Sequence, residues 1–272
     1  MKRELPAGVF DVLERALATR PAAVALKTRQ GSVTYAALDT LADKAAGAWE
    51  ALGVRRGQRV AVSLANDLDI VAAFHGAMRL GAVWVGVNRV LAPPEKAHQI
   101  SDSQAAVVLA DEETAVGLAN AGGTGARVVE LQQWRDAVAA APDGRPGADP
   151  PDPRAPAAIA YTSGTTGLPK GAVHSQAALL LPGAATVARR SWGPELVKGD
   201  WLPLTILNMM VLTTLLTAQA GATAVIMDSG DVHSIVDWIR SEAVTVWNGP
   251  PAQLHTMVSD DSINRHDLAT LD

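Results

Sequence analysis

Short apolar runs alternate with helical patterns along almost the whole chain, and this alternation limits the fold more than any other feature. Residues 82–87 are almost continuously apolar, which is typical of a strand covered on both faces. After Thr34, apolar residues recur at helical spacing as far as Leu52, and Gly53 follows as a stop signal. Repeated strand–helix units favour parallel sheets. The predicted class is therefore α/β, with stacked, doubly wound, largely parallel sheets flanked by helices.

The same patterns place the other elements. Further strands are predicted at 59–64, 105–109, 127–131, 157–161, 201–204, 222–227 and 244–247. Helices are predicted at 68–80, between an Asp67 cap and Gly81, and at 93–100, 112–120, 175–188, 206–219, 232–243 and from Pro250–Pro251 onward. Residues 141–156 hold six of the sixteen prolines and predict an exposed connector of variable conformation. The connector divides the chain into a first α/β subdomain, 1–140, and a second α/β unit, 157–272.

Composition excludes several classes of function. The chain has no cysteine, which rules out disulfides, thiolate zinc sites and cysteine nucleophiles, and a cytoplasmic location is expected. A net charge of −5 offers no basic excess for nucleic acid. The six histidines lack metal-type spacing, so no metal site is predicted within the chain. Residues 201–227 carry no charge, but Pro203, Gly221 and several polar residues favour a buried strand–helix–strand over a membrane span, which is the lesser alternative.

One dense polar motif follows the predicted strand 157–161. Residues 162–171 contain four hydroxyl side chains, three glycines and Lys170. Glycines let backbone N–H groups turn toward an anion, hydroxyls add donors, and a lysine supplies positive charge. The carboxyl end of a strand in an open α/β sheet is also where ligands usually bind. The motif therefore predicts a phosphate cradle, with a polar surface turn as the alternative. Its spacing fits neither the common P-loop nor a dinucleotide-binding loop.

The run 161–171, YTSGTTGLPKG, resembles the signature of the adenylate-forming superfamily. That superfamily contains acyl- and aryl-CoA ligases, luciferases and the adenylation domains of peptide synthetases. Further similar stretches lie at 33–38, 76–88, 97–103, 107–111, 199–204 and 220–223. The resemblance covers essentially the whole chain, but only the front part of the family's large N-terminal domain.

The resemblance implies a reaction. In that family a carboxylic acid attacks the α-phosphate of ATP, which gives an acyl-adenylate and pyrophosphate, and a thiol, often coenzyme A, then captures the acyl group. Magnesium normally accompanies the ATP. The matching loop holds the β- and γ-phosphates, so the implied nucleotide-binding residues are Thr162, Ser163, Gly164, Thr165, Thr166, Gly167 and Lys170.

The chain also departs from the family pattern. The family's aromatic-Gly-x-Thr-Glu motif, its ribose-binding Asp and the lysine of its mobile C-terminal domain cannot be located, so no complete catalytic set is predicted. We expect that a C-terminal part of the same enzyme is missing and that the 272 residues alone show no measurable adenylation. Exposed sheet edges favour self-association, so a homo-oligomer remains an open alternative. Two alternatives remain: a non-catalytic nucleotide-binding or structural module, and a phosphotransferase using the same loop.

The residues after 202–204 bear on the acid substrate. Many relatives have an aromatic residue and a histidine there, whereas this chain has Thr205 and Ile206, and no Asp is available to hold an α-amino group. This difference favours a fatty or aromatic carboxylic acid as the small-molecule partner. The candidate pocket residues are Ile206, Asn208, Met209, Met210, Trp247 and Gly249. For Met209, Met210 and Trp247, an ordinary position in the hydrophobic core is favoured over a role in the acid pocket.

Overall fold

The computed structural model describes residues 6–147, 149–162 and 167–272. Its strands are β1 (Val24–Thr28), β2 (Gly31–Thr34), β3 (Arg59–Ser63), β4 (Val83–Gly86), β5 (Val107–Ala110), β6 (Arg127–Glu130), β7 (Pro156–Thr162), β8 (Lys170–Ser175), β9 (Val197–Asp200), β10 (Thr223–Ile226) and β11 (Val246–Trp247). Its α-helices are α1 (Glu14–Thr19), α2 (Tyr35–Ala51), α3 (Leu68–Leu80), α4 (Pro93–Asp102), α5 (Glu112–Asn120), α6 (Leu131–Ala140), α7 (Gln176–Arg190), α8 (Leu207–Met209), α9 (Leu216–Ala220), α10 (Val232–Glu242) and α11 (Pro251–Ser259). A 3-10 turn, Val9–Asp11, and a π-helical segment, Met210–Leu215, complete the described elements.

The described strands form two sheets. The six-stranded sheet has the order β6-β5-β3-β4-β7-β8, and the five-stranded sheet has the order β11-β9-β10-β1-β2. Neighbouring strands are parallel except at one edge of each sheet, where β8 and β2 run antiparallel. The parallel neighbours β3–β4, β5–β6 and β9–β10 are consecutive strands, and each pair is joined through helical segments, as parallel crossovers require. The predicted α/β class is confirmed.

Sheet membership cuts across the predicted division of the chain. β7 and β8 come after the connector but join the first sheet, with Trp84 of β4 opposite Ala158 of β7. Conversely, β1 comes from the N-terminal part and pairs with β10, with Leu26 opposite Ala224. An apolar strand pattern indicates that a segment is buried, but it does not indicate which strand pairs with it. The division into 1–140 and 157–272 as separate units stays a prediction.

Helices α2 and α3 lie in the core shared by the two sheets. Every residue of α3 from 70 to 80 is buried, as expected for a helix covered all round. The same core cluster contains Leu26 of the five-stranded sheet and Trp84 of the six-stranded sheet. At Gly76 a Cβ atom would lie 2.6 Å from the backbone of Ala45, so this glycine lets the two helices approach closely. The sheets are therefore held together mainly by buried apolar surface.

The predicted helix signals are confirmed at α2 and α3. The Thr34 hydroxyl accepts the Ala37 N–H at 3.2 Å, and the Asp67 carboxylate accepts the Leu68 N–H at 2.7 Å. Gly81 ends α3 in the left-handed region, with φ of 74°. These caps fix where each helix begins and ends relative to the strands, and therefore which residues stand at the sheet edge.

The predicted strand at 201–204 is wrong. The strand is β9, which lies just before it, and residues 201–204 form a loop. The reason is chemical: β9 contains Lys198 and Asp200, both buried, and the two side chains form an ion pair with each other. Because β9 contains two charged residues, it does not form an apolar run, and the sequence pattern does not identify it as a strand.

Other elements differ in extent or were not expected. The predicted helix 206–219 is observed as α8 and α9 with the π-helical segment between them. The elements that the sequence patterns did not indicate are α1, α6, β1, β2 and β8. Four of the six residues of β8 are exposed, so the strand has little apolar pattern to reveal it.

The connector 141–156 is mostly exposed, as predicted, but it contacts the body of the chain. The Arg145 guanidinium lies 3.3 Å from an Asp11 carboxylate oxygen and 3.5 Å from one of Asp43. Lys44 Nζ lies 3.2 Å from an Asp143 carboxylate oxygen. These ion pairs are at least partly exposed and contribute little each. Its conformational variability stays a prediction.

Candidate nucleotide-binding site

The predicted phosphate motif forms the closed end of a hairpin between β7 and β8. Tyr161 pairs with Gly171 and Thr162 pairs with Lys170, so residues 163–169 form the loop that joins the strands. Lys170 therefore lies directly opposite Thr162, and this pair of residues is called the neck of the loop. Both residues are exposed, as is Gly167. The remaining predicted phosphate-binding residues lie outside the described residues: Ser163, Gly164, Thr165 and Thr166.

Side chains of β7 alternate between the two faces of the sheet, and this alternation shows on which face Thr162 and Lys170 lie. Ala158 and Ala160 contact the core shared by the two sheets, whereas Ile159 and Tyr161 contact the apolar cluster under the outer helices. Successive strand residues point to opposite faces, and cross-strand partners share a face. Thr162 and its partner Lys170 therefore continue the inner face, on the side of the five-stranded sheet.

A segment from the five-stranded sheet crosses the same edge. At Gly86, the last residue of β4, a Cβ atom would lie 1.9 Å from the Thr205 carbonyl oxygen. Asn66, just beyond β3, accepts the Leu204 N–H at 2.8 Å and donates to the Trp201 carbonyl at 2.9 Å. Because β3, β4 and β7 are parallel neighbours, their carboxyl ends and the 201–206 loop meet at one edge. Sequence reasoning missed Asn66, whose signal is its position directly after a predicted strand.

The candidate acid-pocket residues are not all brought together. Ile206 is 41% exposed and Asn208 is also exposed, beside the edge that carries Thr205. Met209 and Met210 are buried in the core shared by the sheets. Trp247 packs with a different apolar cluster, and Gly249 lies against its ring. A pocket role for these residues stays a prediction, and for Met209 and Met210 the core position is what the structure describes.

A buried polar group fixes the segment that follows. Thr213, in the π-helical segment, donates its hydroxyl to Asp200 Oδ2 at 2.6 Å, and Lys198 pairs with the same carboxylate. The other oxygen, Asp200 Oδ1, is buried without a hydrogen-bond partner among the described residues. A buried charge is tolerated when it is paired. This carboxylate therefore ties Met210–Leu215 to the end of β9, next to the 201–206 loop.

The outer side of the hairpin is held by α4. The Tyr161 hydroxyl donates to Asp102 Oδ2 at 2.6 Å. Partial burial, and next the Asp102 carboxylate, raise the pKa of Tyr161 above its usual range, so the phenol stays protonated at neutral pH. His98 Nε2 lies 3.4 Å from the Pro169 carbonyl oxygen. Sequence reasoning included Tyr161 in the motif but missed its partner.

Two further histidines, His75 and His174, lie away from this edge. His75 is buried in α3, and burial followed by the charge of Arg79 lowers its pKa to about 3. It is a neutral core histidine. His174 is half-buried and pairs with Ala158, four residues along β8 from Lys170. The structure thus places His174 on the inner face but away from the neck of the loop.

The chemistry of the edge fits the polyphosphate of ATP. An exposed lysine and a threonine hydroxyl flank a loop rich in Ser, Thr and Gly, and these groups donate to anions. Within the described ranges, no group of three or more His, Asp or Glu side chains is arranged to hold a metal ion. Magnesium that accompanies a nucleotide commonly binds through the phosphates and keeps several waters rather than taking a cage of protein ligands. In addition, none of the helices described is long and apolar enough to cross a membrane.

The sequence model of one family, AMP-binding enzyme, matches residues 13–272. The chain belongs to this family. This result confirms the resemblance to the N-terminal portion of adenylate-forming enzymes.

Individual relatives agree with the family match. The long-chain-fatty-acid–CoA ligase FadD13 of Mycobacterium tuberculosis is 33% identical over 241 residues, covering 83% of this chain and 46% of that protein. An indoleacetate–CoA ligase of Aromatoleum aromaticum is 28% identical over 281 residues, covering 95% and 52%. The crystal structure of ATP-bound MatB from Rhodopseudomonas palustris superposes with a TM-score of 0.87 and 25% identity, covering 98% of this chain and 54% of that one. The chain thus spans about half the length of the relatives that it matches.

Proposed function

We propose that this chain is the N-terminal part of an ATP-dependent carboxylic acid ligase that forms an acyl-adenylate and passes the acyl group to coenzyme A. One observation carries the proposal. The pairing of Thr162 with Lys170 puts a cation at the neck of a Ser/Thr/Gly loop, at the carboxyl edge of a largely parallel sheet. Edges of this kind bind ligands in open α/β folds. The ATP-bound state of the similar MatB structure supports ATP as the nucleotide.

The proposed role of the loop is to hold the part of ATP that leaves. When a carboxylate attacks the α-phosphate, negative charge develops on the departing pyrophosphate. Donors and a cation already in place lower the energy of that charge without reorganising in the transition state. Lys170 supplies the cation and Thr162 one hydroxyl, and magnesium accompanies the phosphates. The sequence adds the hydroxyls of Ser163, Thr165 and Thr166.

A fatty or aromatic acid is the proposed substrate class. The exposed residues after the 201–206 loop are Ile206 and Asn208, and neither offers a charge to an α-amino group. The names of FadD13 and of the indoleacetate ligase fit this class, one fatty and one aromatic. Coenzyme A is the proposed acceptor, and a carrier-protein thiol is the competing acceptor. The absence of cysteine leads us to propose a cytoplasmic setting.

We further propose that the 272 residues alone bind polyphosphate but do not carry out adenylation. Adenylation needs the acid, the α-phosphate and the leaving pyrophosphate in one geometry, and such positioning is worth about 7–11 kcal/mol. The loop and its neck account for the leaving end only.

Acid-dependent exchange of labelled pyrophosphate into ATP tests the function, in the product of the complete natural reading frame. We expect exchange with fatty or aromatic acids, and a large loss in Lys170→Ala. ATP binding without exchange for any acid would instead indicate a non-catalytic module. Formation of ADP without any acid requirement would indicate a phosphotransferase. Robust exchange by the 272 residues alone would contradict the proposed incompleteness.

A further inference from the structure

Helix α4 contacts both ends of the candidate phosphate loop. Before the loop, the Tyr161 hydroxyl donates to Asp102 Oδ2 at 2.6 Å. After the loop, His98 Nε2 lies 3.4 Å from the Pro169 carbonyl oxygen, which is an acceptor, so this ring nitrogen is the donor. His98 and Asp102 are four residues apart and therefore share one face of α4. One helix face thus holds the chain where it enters the loop and where it leaves it.

The last glycine of the motif makes room for this contact. Gly171 pairs with Tyr161 across the hairpin. A Cβ atom at Gly171 would lie 3.3 Å from Tyr161 Cζ and 2.7 Å from Ile159 Cγ2. A side chain there would push on the tyrosine ring that reaches Asp102. At the end of the motif, Lys170 therefore supplies a cation, and Gly171 leaves space for the Tyr161 ring.

Helix α4 is itself fixed on the protein. Glu95 Oε2 accepts the Ala92 N–H at 2.9 Å at its N-terminus, where Pro93 starts the helix. Ile100 is fully buried in the outer apolar cluster, and Lys96 Nζ lies 3.3 Å from Thr114 Oγ1 of α5. The helix is thus anchored independently of the loop, and it can act as a platform for the loop.

We propose that Tyr161, Asp102 and His98 are positioning residues for the polyphosphate of ATP. They do not touch the ligand: Tyr161 points to the outer face, whereas Thr162 and Lys170 share the inner face. By fixing Tyr161 and Pro169 against α4, they hold the neighbouring Thr162 and Lys170 in place for the phosphates. A preorganised site binds more tightly because less freedom is lost on binding. This inference rests on the proposed role of the loop in ATP binding.

The chain offers a matched control, because it has only two tyrosines. Tyr35 is buried in the core and donates its hydroxyl to the Ala222 carbonyl at 2.6 Å. Tyr161→Phe should weaken binding of tripolyphosphate and MgATP by about 3- to 10-fold, with little change in Tm. Tyr35→Phe removes a buried hydrogen bond away from the loop, so it should lower Tm and leave polyphosphate affinity unchanged.

A double-mutant cycle tests whether the two groups act together. Asp102→Ala should weaken binding as much as Tyr161→Phe, and the double variant should be no weaker than either single variant. Asp102→Asn keeps a hydrogen-bond acceptor and should restore part of the affinity. His98→Gln keeps a side-chain donor, and His98→Ala does not, so the first should bind more tightly than the second.

Fluorine NMR of protein labelled with 3-fluorotyrosine reads the contact directly. Two resonances are expected, and only that of Tyr161 should shift on adding tripolyphosphate, with a smaller shift in Asp102→Ala. If the wild-type chain binds no polyphosphate at all, the proposed function fails and the inference fails with it. If the wild type binds and Tyr161→Phe and Asp102→Ala bind equally well, or if their losses add fully, only the positioning role is overturned.

Discussion

Each of the two sheets ends in one antiparallel hairpin, and the two hairpins close in different ways. In the β1–β2 hairpin Thr28 pairs with Gly31, so two residues reverse the chain. In the β7–β8 hairpin Thr162 pairs with Lys170, so seven residues, 163–169, do the same. Two-residue turns are the commonest hairpin connections, and longer loops carry an entropic cost. The additional residues are therefore not needed to reverse the chain, and the proposed phosphate-binding role gives them a purpose.

The two hairpins also differ in what holds them. The short turn is fixed by its own side chains: Arg29 makes two hydrogen bonds of 2.8 Å to the Asp228 carboxylate, and its guanidinium lies 5.0 Å from the Trp238 ring centre. The long loop is held at its ends, by Tyr161 and Pro169. These contacts hold the two described positions at the ends of the loop, Tyr161 and Pro169, rather than a turn residue itself. The short turn is thus held by contacts of its own residue Arg29, and the proposed phosphate loop is held where it joins the strands.

The largest effect is expected when the two hairpins are made alike. Replacing residues 163–169 by Asn-Gly keeps Thr162 opposite Lys170 and gives β7–β8 a two-residue turn. We expect polyphosphate binding to disappear while Tm stays close to that of the wild type, because the strand ladder is intact. Calorimetric titration with tripolyphosphate and thermal unfolding would measure both. Retained binding would show that the loop is not the site.

A smaller effect is expected from removing one cation in each hairpin. Lys170→Ala should weaken binding of tripolyphosphate by about 10- to 100-fold, as expected for one charge-assisted hydrogen bond. Lys27 in β1 pairs with Glu242 and gives the matched variant, Lys27→Ala. That variant should change Tm slightly and leave the affinity unchanged. Equal losses of affinity in both variants would mean that only net charge matters.

The smallest effect concerns acid stability of the short turn. The hydrogen bond from Arg29 lowers the pKa of Asp228 below its usual range, with a further contribution from Trp238. A carboxylate with a lowered pKa stabilises the fold above its ordinary pKa, and this contribution is lost as the pH falls. Asp228→Asn should therefore lower Tm near neutral pH, and its difference from the wild type should shrink as the pH falls below the ordinary carboxyl pKa of about 4. Its polyphosphate affinity should match the wild type, and any loss would link the short turn to the site.

Local signals were enough to predict much of the α/β scaffold. The caps at Thr34 and Asp67 and the stop at Gly81 sit beside apolar patterns of helical period, so α2 and α3 follow from neighbouring residues alone. Strand partners do not, because a parallel strand pairs with a distant segment, and its pattern is the same whichever neighbour it takes. For this reason the expected division does not match the sheets. β1 and β2 precede the connector, and β7 and β8 follow it, yet each pair joins the sheet that is built mainly from the other part of the chain.

The candidate site shows the same limit. The motif from Thr162 to Lys170 could be recognised because its residue types are concentrated in one stretch. The contacts that hold it come from elsewhere in the chain: Asp102 and His98 are exposed or half-buried helix residues without a local signature. Strand β9 was misplaced because its charged residues, Lys198 and Asp200, neutralise each other only in the folded protein. Pairing of that kind cannot be predicted from periodicity.

Hydrogen–deuterium exchange with and without tripolyphosphate tests the central claim most directly, because both hairpins are measured in one sample. We expect peptides covering 161–171 to become more protected when tripolyphosphate is added, while peptides covering 24–34 do not change. Loss of that protection in Lys170→Ala would assign it to the neck of the loop. Unchanged exchange at 161–171 with millimolar tripolyphosphate, or equal protection of both hairpins, would contradict the claim that the long hairpin loop is a phosphate-binding site.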